Sequence, residues 1–247
     1  MSTKSADNSG QEDAGNLEKS PNSASQPQNG RPGSLVQLVV DGIIQGVARG
    51  RYVAGQRLIA TDLAQEFDVS RAPVREALAV LAGEGVVDVV PNRGAQIRRL
   101  NVTELSDFLE FTEAICRLGI RRAMPVIHLA ESRATMDEAF EAIEKQGARQ
   151  FFPDFVNALY EYHETLNKLS GNTFLDFFYR RPYFTFYNRM LADLVPSDAV
   201  RWDKYLDNYR AIHHKILSGN GERAEAEFIS HIGWVLKIMH EAAGERR

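Results

Sequence analysis

Apolar residues recur along most of the chain at intervals of three and four, the spacing that buries one face of a helix. Leu35, Leu38, Val39, Ile43 and Val47 predict a first helix ending near Gly50, and Tyr52 to Leu58 reads as an extended link. Leu63, Ala64 and Phe67 give a second helical face. A polar break falls at Asp68 to Ser70, and then Val74, Ala77, Leu78 and Leu81 resume the period. Two short amphipathic helices therefore meet across a tight corner within 60–84. Ser70 stands at the N-cap position, where a hydroxyl can accept a bond from free amides, and Pro73 falls in the first turn, where a missing N–H costs little. Gly85 ends this helix. Val86, Val87, Val89 and Val90 then form a β-branched run, Pro91-Asn92-Arg93-Gly94 has turn chemistry, and Ala95 to Arg98 returns as a second strand.

After Leu100 the β signals stop. A helix opens at Thr103 and Glu104 and holds Leu105, Phe108, Leu109, Ile115 and Leu118; further helices are predicted over 131–146, 152–169, 173–193, 198–218 and 222–241. Breaks at Pro125, Gly147, Gly171-Asn172, Pro196-Ser197 and Gly219-Asn220-Gly221 separate them. No internal repeat is visible. The predicted fold is mainly α: an N-terminal winged helix-turn-helix, then an all-helical antiparallel bundle of six helices, an architecture that often holds ligands between facing helices.

The first half points to DNA. Arg71 and Arg75 lie four apart near the start of the second corner helix, which is how a helix-turn-helix presents side chains to base edges. A plain helical hairpin with two solvated arginines would explain 60–84 alone, but not the basic-tipped β-hairpin that follows. Its tip, Asn92-Arg93-Gly94, is short enough to enter a minor groove, and Gly94 lets the backbone approach phosphate.

Composition changes this picture only at the edges. The chain has 247 residues and 44% hydrophobic content, enough for two domains with cores. No apolar run approaches the ~18 residues of a membrane span, and the N-terminus lacks a signal-peptide core. Cys116 is the single cysteine, which fits a reducing compartment. A cytoplasmic location without membrane attachment is expected. Residues 1–33, rich in Ser, Asn, Gln, Gly and Pro, form an expected disordered tail. The net charge of −4 requires a local basic patch, and two copies, for firm DNA binding.

GRYVAGQRLIATDLAQEFDVSRAPVREALAVLAGEGVV followed by PNRGAQI resembles the DNA-binding domain of the GntR family of bacterial transcription regulators. The resemblance covers about Ser34 to Leu100. It implies a DNA-binding domain over 34–100 and Thr61, Ser70, Arg71, Ala72, Arg75, Asn92, Arg93 and Gly94 as the DNA-facing residues. The second half, 101–247, is similar to the all-helical FCD domain of the FadR-like subgroup, through FVNALYEYHETLNKLSGNTFL, NYRAIHHKILSGNGERAEAEF and the placing of His231. That likeness implies an effector-binding and dimerisation domain. Many members hold zinc, manganese or nickel through an Asp and three His, beside a small organic carboxylate.

This chain departs from that pattern. His163 and His231 stand at two of the four positions, but Leu159 replaces the Asp and Tyr209 the middle His. A leucine coordinates nothing, and neutral tyrosine is a poor ligand for these ions. His213, one turn beyond Tyr209, is the only repair, giving His163, His213 and His231 as a conditional metal set. The expectation is no metal, and a small organic anion held near Arg117, His163, Asn167, Arg189, Tyr209, His213 and His231. The whole reads as a repressor that binds a pseudo-palindromic operator as a homodimer and answers to an organic-acid effector. A metal-dependent hydrolase built on the His cluster is the alternative, and it leaves the winged helix unexplained.

Overall fold

The structure is a computed structural model that describes residues 32–90, 94–179 and 182–244. Residues 1–31 of the expected tail lie outside the described residues, and Pro32 and Gly33 already belong to the first helix. In its N-terminal half, α1 spans Pro32–Ala48, β1 Arg57–Leu58, α2 Ala60–Glu66, α3 Arg71–Gly83, β2 Val87–Val90 and β3 Gly94–Ile97. The bundle comprises α4 Val102–Ala123, α5 Ala130–Arg149, α6 Phe152–Leu169, α7 Thr173–Tyr179, α8 Pro182–Leu194, α9 Trp202–Leu217 and α10 Gly221–Ala242, with a 3-10 turn at Ser197–Ala199.

The winged helix is built as its pattern requires. Val39, Val40, Ile43 and Val47 of α1 are buried against the face of α3 that carries Val74, Ala77, Leu78 and Leu81. Asp68 takes a left-handed φ of 52° in the corner between α2 and α3, a conformation that short acidic side chains tolerate. Ser70 occupies the N-cap of α3, yet its side chain makes no capping bond. The extended link contributes a strand that the hydrophobic pattern does not predict. The sheet order is β1-β3-β2, with Leu58 opposite Ala95, Val89 opposite Ala95 on the other side, and Val87 opposite Ile97.

A capping box closes the start of α4. The Asn101 side chain accepts from the Glu104 amide at 2.9 Å, and the Glu104 carboxylate accepts from the Asn101 amide at 2.9 Å. Among the described residues the bundle has seven α-helices where the pattern predicts six. The stretch expected as one helix over 173–193 is two, because Pro182 opens α8 and lacks the N–H that a continuing helix needs. Tyr162, Tyr179, Tyr209, Phe152, Phe155, Phe184, Phe186 and Phe228 are fully buried, so the bundle core is aromatic and carries phenol hydroxyls into its interior.

Candidate nucleic-acid interface and effector cavity

Two places can meet a partner. The first is the exposed N-terminal end of α3. Arg71, Ala72 and Arg75 are exposed there, and among the described residues neither arginine is in an ion pair, unlike Arg51 with Glu66 and Arg98 with Glu104. Free guanidiniums at a helix N-terminus raise the local positive potential and leave their forked donors available to a base edge or phosphate. The Ser70 side chain makes no cap bond, so it does not compete with a phosphate oxygen for the first-turn amides of α3. Thr61, in the first turn of α2, is half-buried and donates from Oγ1 to Asp62 at 3.1 Å. A groove of about 480 Å³ runs between α3 and the hairpin, lined by Arg75, Leu78 and Ala79 on one side and Val89, Val90 and Gly94 on the other. Gly94 has φ +88°, which strains any side chain, and a Cβ there would stand 3.4 Å from the Leu58 carbonyl. Asn92 and Arg93 lie outside the described residues.

The second place is a cavity of about 40 Å³ inside the bundle, room for a few water molecules. Leu109 and Thr112 of α4, Leu159, Tyr160 and His163 of α6, Tyr179 of α7, Asn188 and Leu191 of α8, Tyr205 and Tyr209 of α9 and His231 of α10 all reach it. Three of the predicted residues, His163, Tyr209 and His231, therefore do converge. His163 lies between two phenols, with Nε2 3.1 Å from the Tyr209 hydroxyl and Nδ1 3.2 Å from that of Tyr179. A neutral imidazole has one donor and one acceptor, so one tyrosine receives its N–H and the other gives its proton to the bare nitrogen. The receiving hydroxyl keeps a proton to offer. His231 Nδ1 is 3.1 Å from the Asn208 amide nitrogen, and Tyr205, Tyr209 and Trp234 pack around its ring. Burial pushes both His163 and His231 down to about 3, the proximity of His163 and of Lys204 adding to the effect of burial at His231. Both imidazoles are therefore neutral at ordinary pH. Burial likewise holds Tyr209 well above the usual phenol range, so it stays a hydroxyl.

The remaining predicted residues lie elsewhere. His213 does not line the cavity: Nδ1 meets the Tyr162 hydroxyl at 3.1 Å, Nε2 meets Asp137 at 3.0 Å, and the ring stacks on Phe140 at 4.3 Å. The reason is helical phase, since four residues overshoot a full turn by about 40° and turn His213 toward α5. Burial lowers its pKa, against the opposing pull of Asp137. Asn167 is buried with neither amide atom bonded among the described residues, and a Cβ on Gly119 would stand 2.3 Å from its Oδ1; it faces α4, not the cavity. Arg117 pairs with Glu225 at 3.3 Å and Glu113 at 3.2 Å, and Arg121 and Arg117 together hold the Glu225 carboxyl below its usual range. Arg189 donates to the Ala48 carbonyl at 3.1 Å and pairs with Asp193 at 2.8 Å. Neither arginine reaches the cavity.

This donor set fits a divalent ion poorly. Leu159 lines the wall where a carboxylate would be needed, both nitrogens of His163 already meet hydroxyls, and among the described residues no three His, Cys, Asp or Glu side chains stand close enough to share an ion. The lining residues missed by sequence reasoning are chiefly Tyr160, Tyr179, Tyr205 and Asn188. Tyr205, one turn before Tyr209, carried a usable signal; Tyr179 and Asn188 sat in an aromatic stretch that reads equally as packing.

Comparison with known proteins agrees with this fold. Residues 35–97 match the family model for bacterial regulatory proteins of the gntR family, and residues 107–233 match the FCD domain. The chain is 33% identical over 120 residues to an uncharacterized HTH-type transcriptional regulator in an unstable DNA locus of Streptomyces ambofaciens, a match covering 48% of this chain and only 49% of that protein. It is 24% identical over 213 residues to a probable D-xylose utilization operon transcriptional repressor of Paenarthrobacter nicotinovorans, covering 85% and 91% of the two chains. Among solved structures, E. coli McbR/YncC superposes with a TM-score of 0.70 at 16% identity, over 85% of this chain and 98% of that one, which supports the fold. No helix among the described residues is long and apolar enough to cross a membrane.

Proposed function

This chain belongs to the GntR family of bacterial transcription regulators and carries an FCD domain, and from that premise we propose a FadR-like repressor that binds a pseudo-palindromic operator as a homodimer. Regulators of this family are DNA-binding transcription factors, not enzymes, so the hydrolase alternative falls away. In this reading 34–100 is the DNA-binding domain and 101–247 the effector-binding and dimerisation domain. The observation that carries it is the pair of exposed arginines, Arg71 and Arg75, in no ion pair among the described residues, at the start of α3 in a winged helix. Two copies are needed because one such patch on a chain of net charge −4 gives weak binding. Phe111 and Leu118 on α4 and Ile229 on α10, exposed on neighbouring helices, offer apolar surface that a second copy can cover.

The effector occupies the bundle cavity and needs no metal. An organic anion would require a counter-charge, since burying an isolated carboxylate is strongly unfavourable. Arg117 is held by two glutamates, Arg189 by Ala48 and Asp193, and burial keeps both cavity histidines neutral. These observations favour a small uncharged molecule that exchanges hydrogen bonds with Tyr209, Tyr179 and His231. The cavity holds only about 40 Å³, so affinity is reduced by whatever enlarging it costs. The test is operator release, measured by mobility shift, across a panel of neutral and anionic metabolites. The expected result is release by an uncharged compound, weakened by Tyr209→Phe. Release by carboxylates alone, undisturbed in that variant, would refute the cavity assignment.

A further inference from the structure

Arg189 stands where the two halves of the molecule touch. Its Nη1 donates at 3.1 Å to the carbonyl of Ala48, the last residue of α1. Its Nη2 pairs at 2.8 Å with Asp193, one turn further along α8, and only 16% of the side chain is exposed. The last carbonyls of a helix have no partner within it and carry partial negative charge, so a guanidinium is held there by charge and by direction. Gly50, just beyond α1, has φ +73° and leaves the space the guanidinium uses: a Cβ there would stand 2.9 Å from Nη2.

The neighbours of this clamp give it significance. Asn188 and Leu191, on the same helix, line the bundle cavity. On the other side, α1 packs against both α8 and α3, the helix that carries Arg71 and Arg75. A single helix, α8, thus touches the cavity with one face and the DNA-binding half with another.

We propose that Arg189 is a positioning residue for operator recognition, whose clamp on Ala48 fixes the winged helix against the bundle and so sets the half-site spacing that the dimer accepts. The inference rests on the homodimer reading. Two winged helices held at a fixed separation match half-sites about one helical turn apart or a multiple of it, and each added base pair shifts one half-site by about 3.4 Å and rotates it by about 34°. A rigid arm cannot follow that displacement; a released arm can. Arginine suits the position because its planar fork reaches the Ala48 carbonyl and the Asp193 carboxylate together, where the single ammonium of lysine would satisfy one of them.

The experiment uses the full-length protein and an operator that it selects from randomised duplexes. That operator is rebuilt with its half-sites one and two base pairs nearer or further apart, beside a duplex holding a single half-site. The parent is expected to rank the spacings steeply. Arg189→Ala is expected to flatten that ranking by roughly tenfold, the scale of one charged hydrogen bond, with single half-site affinity kept within about twofold. Arg189→Lys should fall between the two, and Asp193→Asn should act as a weaker Arg189→Ala. An Arg189→Ala protein that keeps the parental ranking overturns the inference. So does one that loses single half-site and operator binding in equal measure, which marks general damage. Should Arg189→Ala not fold, Arg189→Lys and Asp193→Asn decide by the same criteria. A parent indifferent to spacing overturns the homodimer reading and the inference together, whereas failure confined to the variants overturns the inference alone.

Discussion

The two ends of the molecule handle their polar groups in opposite ways. At the start of α3, Arg71 and Arg75 are exposed and in no ion pair among the described residues, and Ser70 leaves its helix uncapped. In the bundle, His163 lies between Tyr209 and Tyr179, His231 meets Asn208, and His213 joins Tyr162 to Asp137. The first arrangement leaves donors unspent, and in the reading proposed above a polyanion from outside meets them. The second is mostly satisfied from within, with one phenol proton beside His163 left to offer, so a ligand in the proposed site would replace internal hydrogen bonds as well as add one, which would favour small molecules.

The largest expected effect sets these regions apart by pH. The folded pKa values of His163 and His231, about 3, lie below the unfolded value of about 6.5, so the unfolded chain binds more protons between those limits. Stability contributed by keeping both rings neutral is fully present above about pH 6.5 and is lost as pH falls toward 3, by on the order of several kcal/mol in total. Urea unfolding between pH 7 and 4 should show that decline, and His231→Phe should flatten it. An equal slope in the variant would mean that His231 is not held neutral by burial.

A second change tests the ligand set. Leu159→Asp combined with Tyr209→His restores a carboxylate and an imidazole to the cavity wall, and that protein should bind zinc tightly and melt higher with it. The parent should show neither effect. Near-stoichiometric zinc in the parent, lost on His163→Ala, would show that the phenols do not keep the ion out.

Operator affinity comes next. Arg71→Ala and Arg75→Ala should each cost roughly 1–3 kcal/mol of specific binding and relax preference at one base position. Binding and preference unchanged in both would remove α3 as the reading helix.

The smallest effect contrasts two N-caps. Asn101→Ala loses a formed capping box and should cost about 1 kcal/mol of stability, while Ser70→Ala removes no bond and should change stability by less than about 0.5 kcal/mol. Ser70→Ala should instead weaken specific and non-specific DNA binding alike, as expected of a residue beside phosphate.

This contrast also explains what the sequence made legible. The helix-turn-helix is a local object: its period, corner and turn residues lie within one short stretch, and the helical face that packs α3 on α1 is visible as spacing. Two-residue β1 is too short to show a period, and its partner Ala95 is remote from Leu58. The cavity draws on several helices, so each of its residues could be placed only through its own helix. That sufficed for His163, Tyr209 and His231. It failed for His213, where the drift of a helical turn decides the neighbour, and for Asn167, which the close approach of Gly119 assigns to α4. Arg189 was the hardest. Its partner Ala48 is 141 residues away, and a backbone carbonyl leaves no mark in a sequence.

The proposed function depends most on two copies reading one DNA site through α3. Selecting duplexes from a randomised pool with the full-length protein, then weighing the complex on the winning sequence by light scattering, tests that directly. An inverted repeat with two chains per duplex is the expected result. A winning sequence without two-fold symmetry, bound by one chain, would contradict it.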